Sequence, residues 1–113
     1  MEFFIVKIAH AIARQEGFFV KGSLPQRHNN PGDLTDETGN RVFPNIDAGW
    51  RALYQQVNDM YNGASKVYNP EMTLQEMGML YSGGDPNWSK NVAAMLGVDE
   101  NDTLADIKEK LSV

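Results

Sequence analysis

One carboxylate in this sequence occupies a position where its acidity would be unusual. Apolar side chains recur at three- and four-residue spacing through residues 3–16, which predicts a helix. At about 100° per residue, Glu16 lies about 20° from Ala9 and about 40° from Ile12, so it continues the apolar stripe of that helix. Burial and the negative end of the helix both disfavour the anion and raise the pKa of the Glu16 carboxyl. A carboxylic acid that stays protonated near neutral pH can protonate a glycosidic oxygen, although a frayed terminal glutamate that reaches solvent or an arginine remains the alternative.

The elements that must position Glu16 are mainly helical. Turn formers dominate residues 23–45, where residues 33–35 and 41–43 flank a turn at 38–40 and predict a short hairpin. Beyond the first helix, Asp47 is the predicted N-cap of a helix over residues 48–62.

Three shorter helices are predicted in the remaining sequence. A capping box of Thr73 and Glu76 begins a helix that ends near Tyr81. Another helix begins at Asp85, contains Trp88 and ends at Gly97, and a last helix covers about residues 104–111. The predicted fold class is therefore α+β, mainly α, with about five helices and one hairpin.

Composition bounds the classes of function. At 113 residues the chain is expected to form a single domain over residues 1–113, and its net charge of −5 argues against nucleic acid as a partner. The sequence contains no cysteine, which excludes a disulfide scaffold, a thiolate nucleophile and a cysteine-ligated zinc site. We expect no metal site, no cofactor, no membrane span and no signal peptide in this chain.

Four separated segments resemble one superfamily. The sequence AIARQEGF at residues 11–18 is similar to the segment of lytic transglycosylases and goose-type lysozymes in which a helix ends on the catalytic glutamate. LYSGG at residues 80–84 and the helix after it resemble a Tyr-Asn-Ala-Gly motif of the same lysozyme-like superfamily. QRHNNPGDL at residues 26–34 and FPNIDAGW at residues 43–50 resemble segments of small phage-type and bacterial muramidase-like domains.

This resemblance implies a lysozyme-like fold in which the hairpin forms one wall of a cleft. It implies cleavage of the β-1,4 bond between N-acetylmuramic acid and N-acetylglucosamine in peptidoglycan, by a lytic transglycosylase or a muramidase. In the transglycosylase route a single glutamate, here Glu16, donates a proton and then acts as base while the C6 hydroxyl of the substrate closes a 1,6-anhydro ring. We expect this one-carboxylate route, with Asp33 as the reserve second carboxylate if the product is hydrolytic. By the same resemblance, Tyr81 lies near the glutamate.

The candidate substrate-binding residues offer planar amides, guanidinium groups, a carboxylate and aromatic rings. For Asn29 and Asn30 the alternative is that they build the turn with Pro31, and for Trp88 it is a place in the core. The full set is Gln26, Arg27, Asn29, Asn30, Asp33, Phe43, Tyr81 and Trp88.

A function from a different class is also consistent with the sequence. Gly17 stands where many lytic transglycosylases have serine, and their Gly-Leu-Met-Gln segment is replaced by residues 30–34. The alternative is therefore a catalytically inactive glycan-binding or structural module of a phage or cell-envelope assembly. We expect peptidoglycan glycan strands as the partner, a monomer, and a place of action at the cell wall that is periplasmic, extracellular or reached by phage delivery.

Overall fold

The fold is mainly helical with one short antiparallel hairpin, as the sequence pattern predicts. The computed structural model describes residues 2–112. None of the helices in this range is long and apolar enough to cross a lipid bilayer. The elements in chain order are α1 (Phe3–Gln15), α2 (Leu24–Arg27), β1 (Thr35–Asp36), β2 (Gly39–Asn40), α3 (Ile46–Asn62), α4 (Leu74–Tyr81), α5 (Pro86–Leu96) and α6 (Leu104–Leu111).

Helix α1 lies at the centre of the structure because one of its faces is apolar along its whole length. The predicted stripe is confirmed: Ile5 and Ile8 are 3% exposed, and Ala9 and Ile12 are fully buried. Helices α3, α5 and α6 all pack against α1, so the core forms around this helix. Removal of such side chains from water is the main favourable contribution to folding.

Two details of the helices differ from the sequence-based prediction. The structure has six helices over residues 2–112 because α2 forms where only turns were expected. The Ser23 side chain accepts a hydrogen bond from the Gln26 N–H, and Pro25 suits the first turn of this short helix. Asp47 as N-cap of α3 is wrong: Asn45 has this role, since its side chain accepts a hydrogen bond of 2.9 Å from the Ala48 N–H.

The hairpin is shorter and tighter than predicted. Thr35 pairs with Asn40 and Asp36 with Gly39. The strands therefore lie between the expected ranges 33–35 and 41–43 and share only Thr35 with them. Asp36 closes the turn by accepting hydrogen bonds from the backbone N–H and the hydroxyl of Thr38 at 2.8 and 2.6 Å. These local bonds move the turn toward residues 37 and 38.

The loop before the hairpin is held by one buried amide. Asn30 is fully buried, and its Nδ2 donates 2.9 Å hydrogen bonds to the carbonyl oxygens of Leu34 and Arg41. Its Oδ1 accepts a third bond of 2.9 Å from the Leu34 N–H. Helix α3 also lies directly against this loop at Gly49, where an added Cβ would be 1.8 Å from the carbonyl oxygen of Asn29. Only glycine allows this approach, so the loop and α3 fix each other's position.

The backbone N–H groups in the first turns of α4 and α6 donate hydrogen bonds to carbonyl groups that precede the other helix. The capping box of Thr73 and Glu76 is confirmed, and Thr103 forms a second one. The Leu74 N–H donates to the Asp102 carbonyl, and the Leu104 N–H donates to the Met72 carbonyl, both at 2.9 Å. The predicted start of α5 at Asp85 and the predicted bounds of the last helix are also confirmed.

Replacement of Asn30 by alanine is expected to lower the free energy of unfolding by about 3 kcal/mol. The Leu34 N–H and the Arg41 carbonyl lose their partner, and the Leu34 carbonyl keeps only its bond from the Arg41 N–H. Urea denaturation monitored by circular dichroism measures this change. The matched control is Asn91→Ala on the exposed surface of α5, which is expected to stay within about 0.5 kcal/mol of the wild type. Equal stability of the two variants would contradict the role assigned to Asn30.

Candidate active site

A polar cleft of about 570 Å³ lies at the C-terminal end of α1. One side is formed by the loop and hairpin, and the other by α3 and α4. Its lining residues are Glu16, Asp33, Leu34, Thr35, Arg41, Ala52, Gln55, Gln56, Asp59, Tyr68, Leu80 and Tyr81.

Glu16 is the residue that ends α1. Its backbone N–H donates the last bond of the helix to the Ile12 carbonyl at 2.9 Å, and its half-buried side chain lines the cleft. Burial raises the pKa of the Glu16 carboxyl above its ordinary value; a hydrogen bond from Trp88 opposes this shift, and the nearby charge of Asp33 adds to it. This direction agrees with the raised pKa predicted from the position of Glu16 on the apolar stripe of its helix.

The chain continues after Glu16 through a left-handed residue. Gly17 has φ +81°, a conformation that side chains with a Cβ rarely adopt. The departure from the serine of many lytic transglycosylases therefore has a local backbone cause in this chain.

The buried side chain of Trp88 forms a hydrogen bond to the carboxyl of Glu16. Its indole Nε1–H donates to Oε2 of Glu16 at 3.1 Å, and the side chain is only 2% exposed. The ring lies 5.1 Å from that of Tyr81, and an added Cβ on Gly78 would be 2.9 Å from it. The sequence-based assignment of Trp88 to substrate binding does not fit this burial, because no face of the indole is open to a sugar.

Asp33 places a second carboxylate in the same cleft. Its backbone has φ +50°, which is uncommon for a residue other than glycine. Its Oδ1 is enclosed and has no hydrogen-bond partner among residues 2–112. Strained backbone and an unpartnered acceptor cost free energy, and such features concentrate at functional sites.

Tyr81 lies beside Glu16, as the resemblance implies, but its hydroxyl is used elsewhere. The hydroxyl donates to the carbonyl oxygen of Gly32 at 2.6 Å. Burial, together with the neighbouring charge of Glu16, raises the pKa of Tyr81 well above its ordinary value, so the phenol stays a donor. Tyr81 therefore anchors the residue that precedes Asp33.

The structure places the other predicted binding residues outside the lining of the cleft. Gln26 and Arg27 are exposed on α2, where the Gln26 side chain accepts a hydrogen bond from the Gly22 N–H. Asn29 donates from Nδ2 to the Phe43 carbonyl at 3.1 Å. The amide groups of Asn29 and Asn30 are thus engaged with the backbone of the loop.

Phe43 is also outside the lining of the cleft. Its ring is 8% exposed and lies under the guanidinium of Arg41, 4.6 Å from the ring centroid. Of the eight predicted substrate-binding residues, only Asp33 and Tyr81 line the cleft with Glu16.

Sequence reasoning missed the polar side of α3. Gln55, Gln56 and Asp59 line the cleft, and Gln55 donates to Asp59 at 2.7 Å. Gln55 lies about 160° around the helix from the buried Leu53, so it could have been identified as a polar-face residue. Nothing in the sequence shows that this polar face meets a cleft rather than bulk solvent.

The arrangement combines two carboxyl groups in different environments. Glu16 is held by an indole donor and has a raised pKa, whereas Asp33 lines the cleft with its Oδ1 enclosed and without a hydrogen-bond partner among residues 2–112. Such a pair can divide acid and base roles at one reacting bond. Arg41, Gln55 and Gln56 add donors and acceptors that suit a polar, hydroxyl-rich substrate.

The substitution Trp88→Phe is expected to move the titration of Glu16 to higher pH, because the indole donor stabilises the carboxylate form. Carboxyl carbon chemical shifts of Glu16, followed by NMR across pH, measure the midpoint. Trp50→Phe is the matched control, since Trp50 stacks on His10 and makes no hydrogen bond to Glu16. An unmoved or lowered midpoint in Trp88→Phe would refute the role of the indole.

Comparison with protein-family models, with curated proteins and with solved structures finds no match to this chain. Within the described part of the chain, no group of three or more histidine, aspartate or glutamate side chains is placed to hold a metal ion. The chemical interpretation of the cleft therefore depends on the geometry of its own residues.

Proposed function

We propose that this chain is a peptidoglycan-cleaving glycosidase whose general acid is Glu16. The observation that supports this most directly is a half-buried carboxyl with a raised pKa, held by an indole N–H at the edge of a polar cleft. The proposed substrate is the β-1,4 bond between N-acetylmuramic acid and N-acetylglucosamine in glycan strands at the cell wall.

The resemblance supports this proposal because its separated pieces meet at one place. Glu16 comes from the segment 11–18, Asp33 from the segment 26–34, and Tyr81 from the segment 80–84. All three residues line the same cleft. Similarity by chance in separate short segments gives no reason for such convergence.

The proposed reaction begins with proton transfer from Glu16. The protonated carboxyl donates its proton to the glycosidic oxygen as the bond from C1 to that oxygen breaks. Only the protonated form is active, so the rate is expected to fall as pH rises through the Glu16 pKa. The raised pKa extends this activity toward neutral pH.

For the second step we propose hydrolysis by water rather than closure of a 1,6-anhydro ring. Asp33 lines the same cleft as Glu16, and its charge acts on Glu16. A water molecule attacks C1 and gives its proton to Asp33, which leaves a reducing end on the product. The presence of two carboxylates in one cleft supports the two-carboxylate route, and the one-carboxylate transglycosylase route is the competing outcome.

The polar side of α3 is proposed to recognise the sugar. Amide groups of Gln55 and Gln56 can donate to and accept from hydroxyl and N-acetyl groups. Arg41 offers a cation to the lactyl carboxylate of N-acetylmuramic acid or to its peptide.

The substitution Glu16→Gln is expected to reduce release of muropeptides from purified sacculi by at least about 100-fold, because glutamine cannot donate the proton. Mass spectrometry of the released material measures this rate. Glu71→Gln, at an exposed residue outside the cleft, is the control and is expected to retain full activity.

A measurement of stability distinguishes a variant that has lost the catalytic carboxyl from a variant that does not fold. The folded state binds the Glu16 proton more tightly than the unfolded state, so the wild type loses stability as pH rises from 4.5 through the raised pKa. Glu16→Gln removes this loss and is expected to be at least as stable as the wild type at pH 7. Wild type that binds sacculi without releasing muropeptides would contradict the proposal and support the glycan-binding module instead.

The substitution Asp33→Asn is expected to reduce the rate by about 100-fold if Asp33 accepts the proton of water. Wild-type products are then expected to have reducing ends, which mass spectrometry distinguishes from 1,6-anhydro ends. Glu37→Gln removes a neighbouring hairpin carboxylate that does not line the cleft and serves as the control. Anhydro products together with a fully active Asp33→Asn variant would establish the transglycosylase route and exclude Asp33 as base.

A further inference from the structure

A second groove follows the exposed side of α1. Its volume is about 690 Å³, and it shares no residue with the cleft that contains Glu16. The ends of α5 and α6 and the segment after α1 complete its walls. We call this surface the α1 groove; it is lined by Phe3, Val6, Lys7, His10, Ala11, Arg14, Phe19, Met95, Leu96 and Leu111.

The α1 groove exposes large apolar side chains around one concavity. Phe3 is 66% exposed, Phe19 is 57% exposed and Met95 is 39% exposed. Single exposed apolar residues are common, but a contiguous set around a groove marks an interaction site more often than chance.

The charged residues of the α1 groove are all basic. Lys7, His10 and Arg14 follow one another at three- and four-residue spacing on α1, and none of the aspartate or glutamate side chains of residues 2–112 lines the groove. Among residues 2–112, neither Lys7 nor Arg14 has a carboxylate within ion-pair distance. In a chain of net charge −5 this is a local region of opposite sign.

We infer that the α1 groove binds an acidic amphipathic helix of a partner protein. The apolar face of that helix would lie against Val6, Ala11 and Leu96, and its carboxylates would pair with Lys7 and Arg14. Helix α1 has 13 residues and is therefore about 20 Å long, which accommodates three to four turns of a helix beside it.

The lining disfavours two other occupants. A glycan needs amide, hydroxyl and carboxylate partners, and the lining that residues 2–112 provide contains no asparagine, glutamine, serine, threonine, aspartate or glutamate. A bilayer presents a plane, whereas this surface is concave between helices and suits a rod. The ring of His10 stacks on the ring of Trp50, and the two ring centroids are 4.6 Å apart.

The test uses two designed helical peptides of about 14 residues with the same leucine face. One has glutamate at its polar positions and the other has lysine. The glutamate peptide is expected to bind the full chain with Kd on the order of 10 µM, at least about 10-fold tighter than the lysine peptide, by calorimetry. Backbone amide shifts in NMR are expected to change along the α1 groove and not at the cleft.

Reversal of the charges of Lys7 and Arg14 tests whether electrostatic attraction determines which peptide binds. The double variant Lys7→Glu and Arg14→Glu is expected to reverse the preference, so that the lysine peptide binds more tightly. The matched control is Arg51→Glu with Lys66→Glu, which removes the same charges from exposed positions outside both grooves and is expected to keep the wild-type preference. Thermal unfolding shows that each variant is folded.

Four results would overturn the inference. Equal binding of the two peptides, or an unchanged preference in the double variant, would remove the electrostatic basis. Concentration-dependent dimers in light scattering, abolished by the double variant, would assign the α1 groove to a second copy of the chain. Sedimentation with anionic vesicles in place of peptide binding would assign it to a membrane. No glycan is present in these assays, so their result is independent of the role of Glu16.

Discussion

A hydrogen bond from the Trp88 indole to the Glu16 carboxyl joins residues that are 72 positions apart in the chain. It forms where α1 packs against α5, two helices in which Ala9, Ala13 and Val92 are fully buried. The direction of the carboxyl is thereby determined by the core rather than by the surface. Side chains held in this way lose little freedom when a substrate binds, which is the basis of preorganisation.

The opposite side of the cleft depends on backbone contacts instead. Asn30 ties the loop to the hairpin, Gly49 lets α3 approach it, and the Tyr81 hydroxyl holds the Gly32 carbonyl. Asp33 follows directly and adopts its left-handed backbone within this frame. The two carboxyl groups of the cleft are therefore supported by independent parts of the molecule, one by helix packing and one by loop hydrogen bonds.

The sequence predicts those features that depend on local periodicity and capping. The stripe through Ile5 and Ile12 and the capping box at Thr73 are local patterns, and both are present in the structure. The raised pKa of Glu16 was predictable because its cause, burial at the end of an apolar stripe, can be read from spacing. The N-cap of α3 was not, since Asn45 and Asp47 are both good caps and the choice depends on how the chain enters the helix.

The roles of most residues around the cleft could not be predicted from the sequence, because these roles depend on tertiary contacts. Asn30 and Phe43 have side chains that suit sugar binding, yet both are buried and serve the loop. Trp88 reads as a core residue or a binding residue, and its contact with Glu16 is visible only when α1 and α5 are packed together. The polar residues Gln55 and Gln56 resemble any solvated helix face until the hairpin is placed across from them.

The reciprocal bonds between the first turns of α4 and α6 link the end of the chain to the cleft. Because Leu74 donates to Asp102 and Leu104 donates to Met72, neither helix can lose its partner without exposing its own unpaired N–H groups. Helix α4 also contains Tyr81, whose hydroxyl holds the loop before Asp33. The hydrogen bonds of α6 therefore connect, through α4 and Tyr81, to the loop that holds one of the two carboxyl groups, and a local opening of α6 is expected to weaken that side of the cleft.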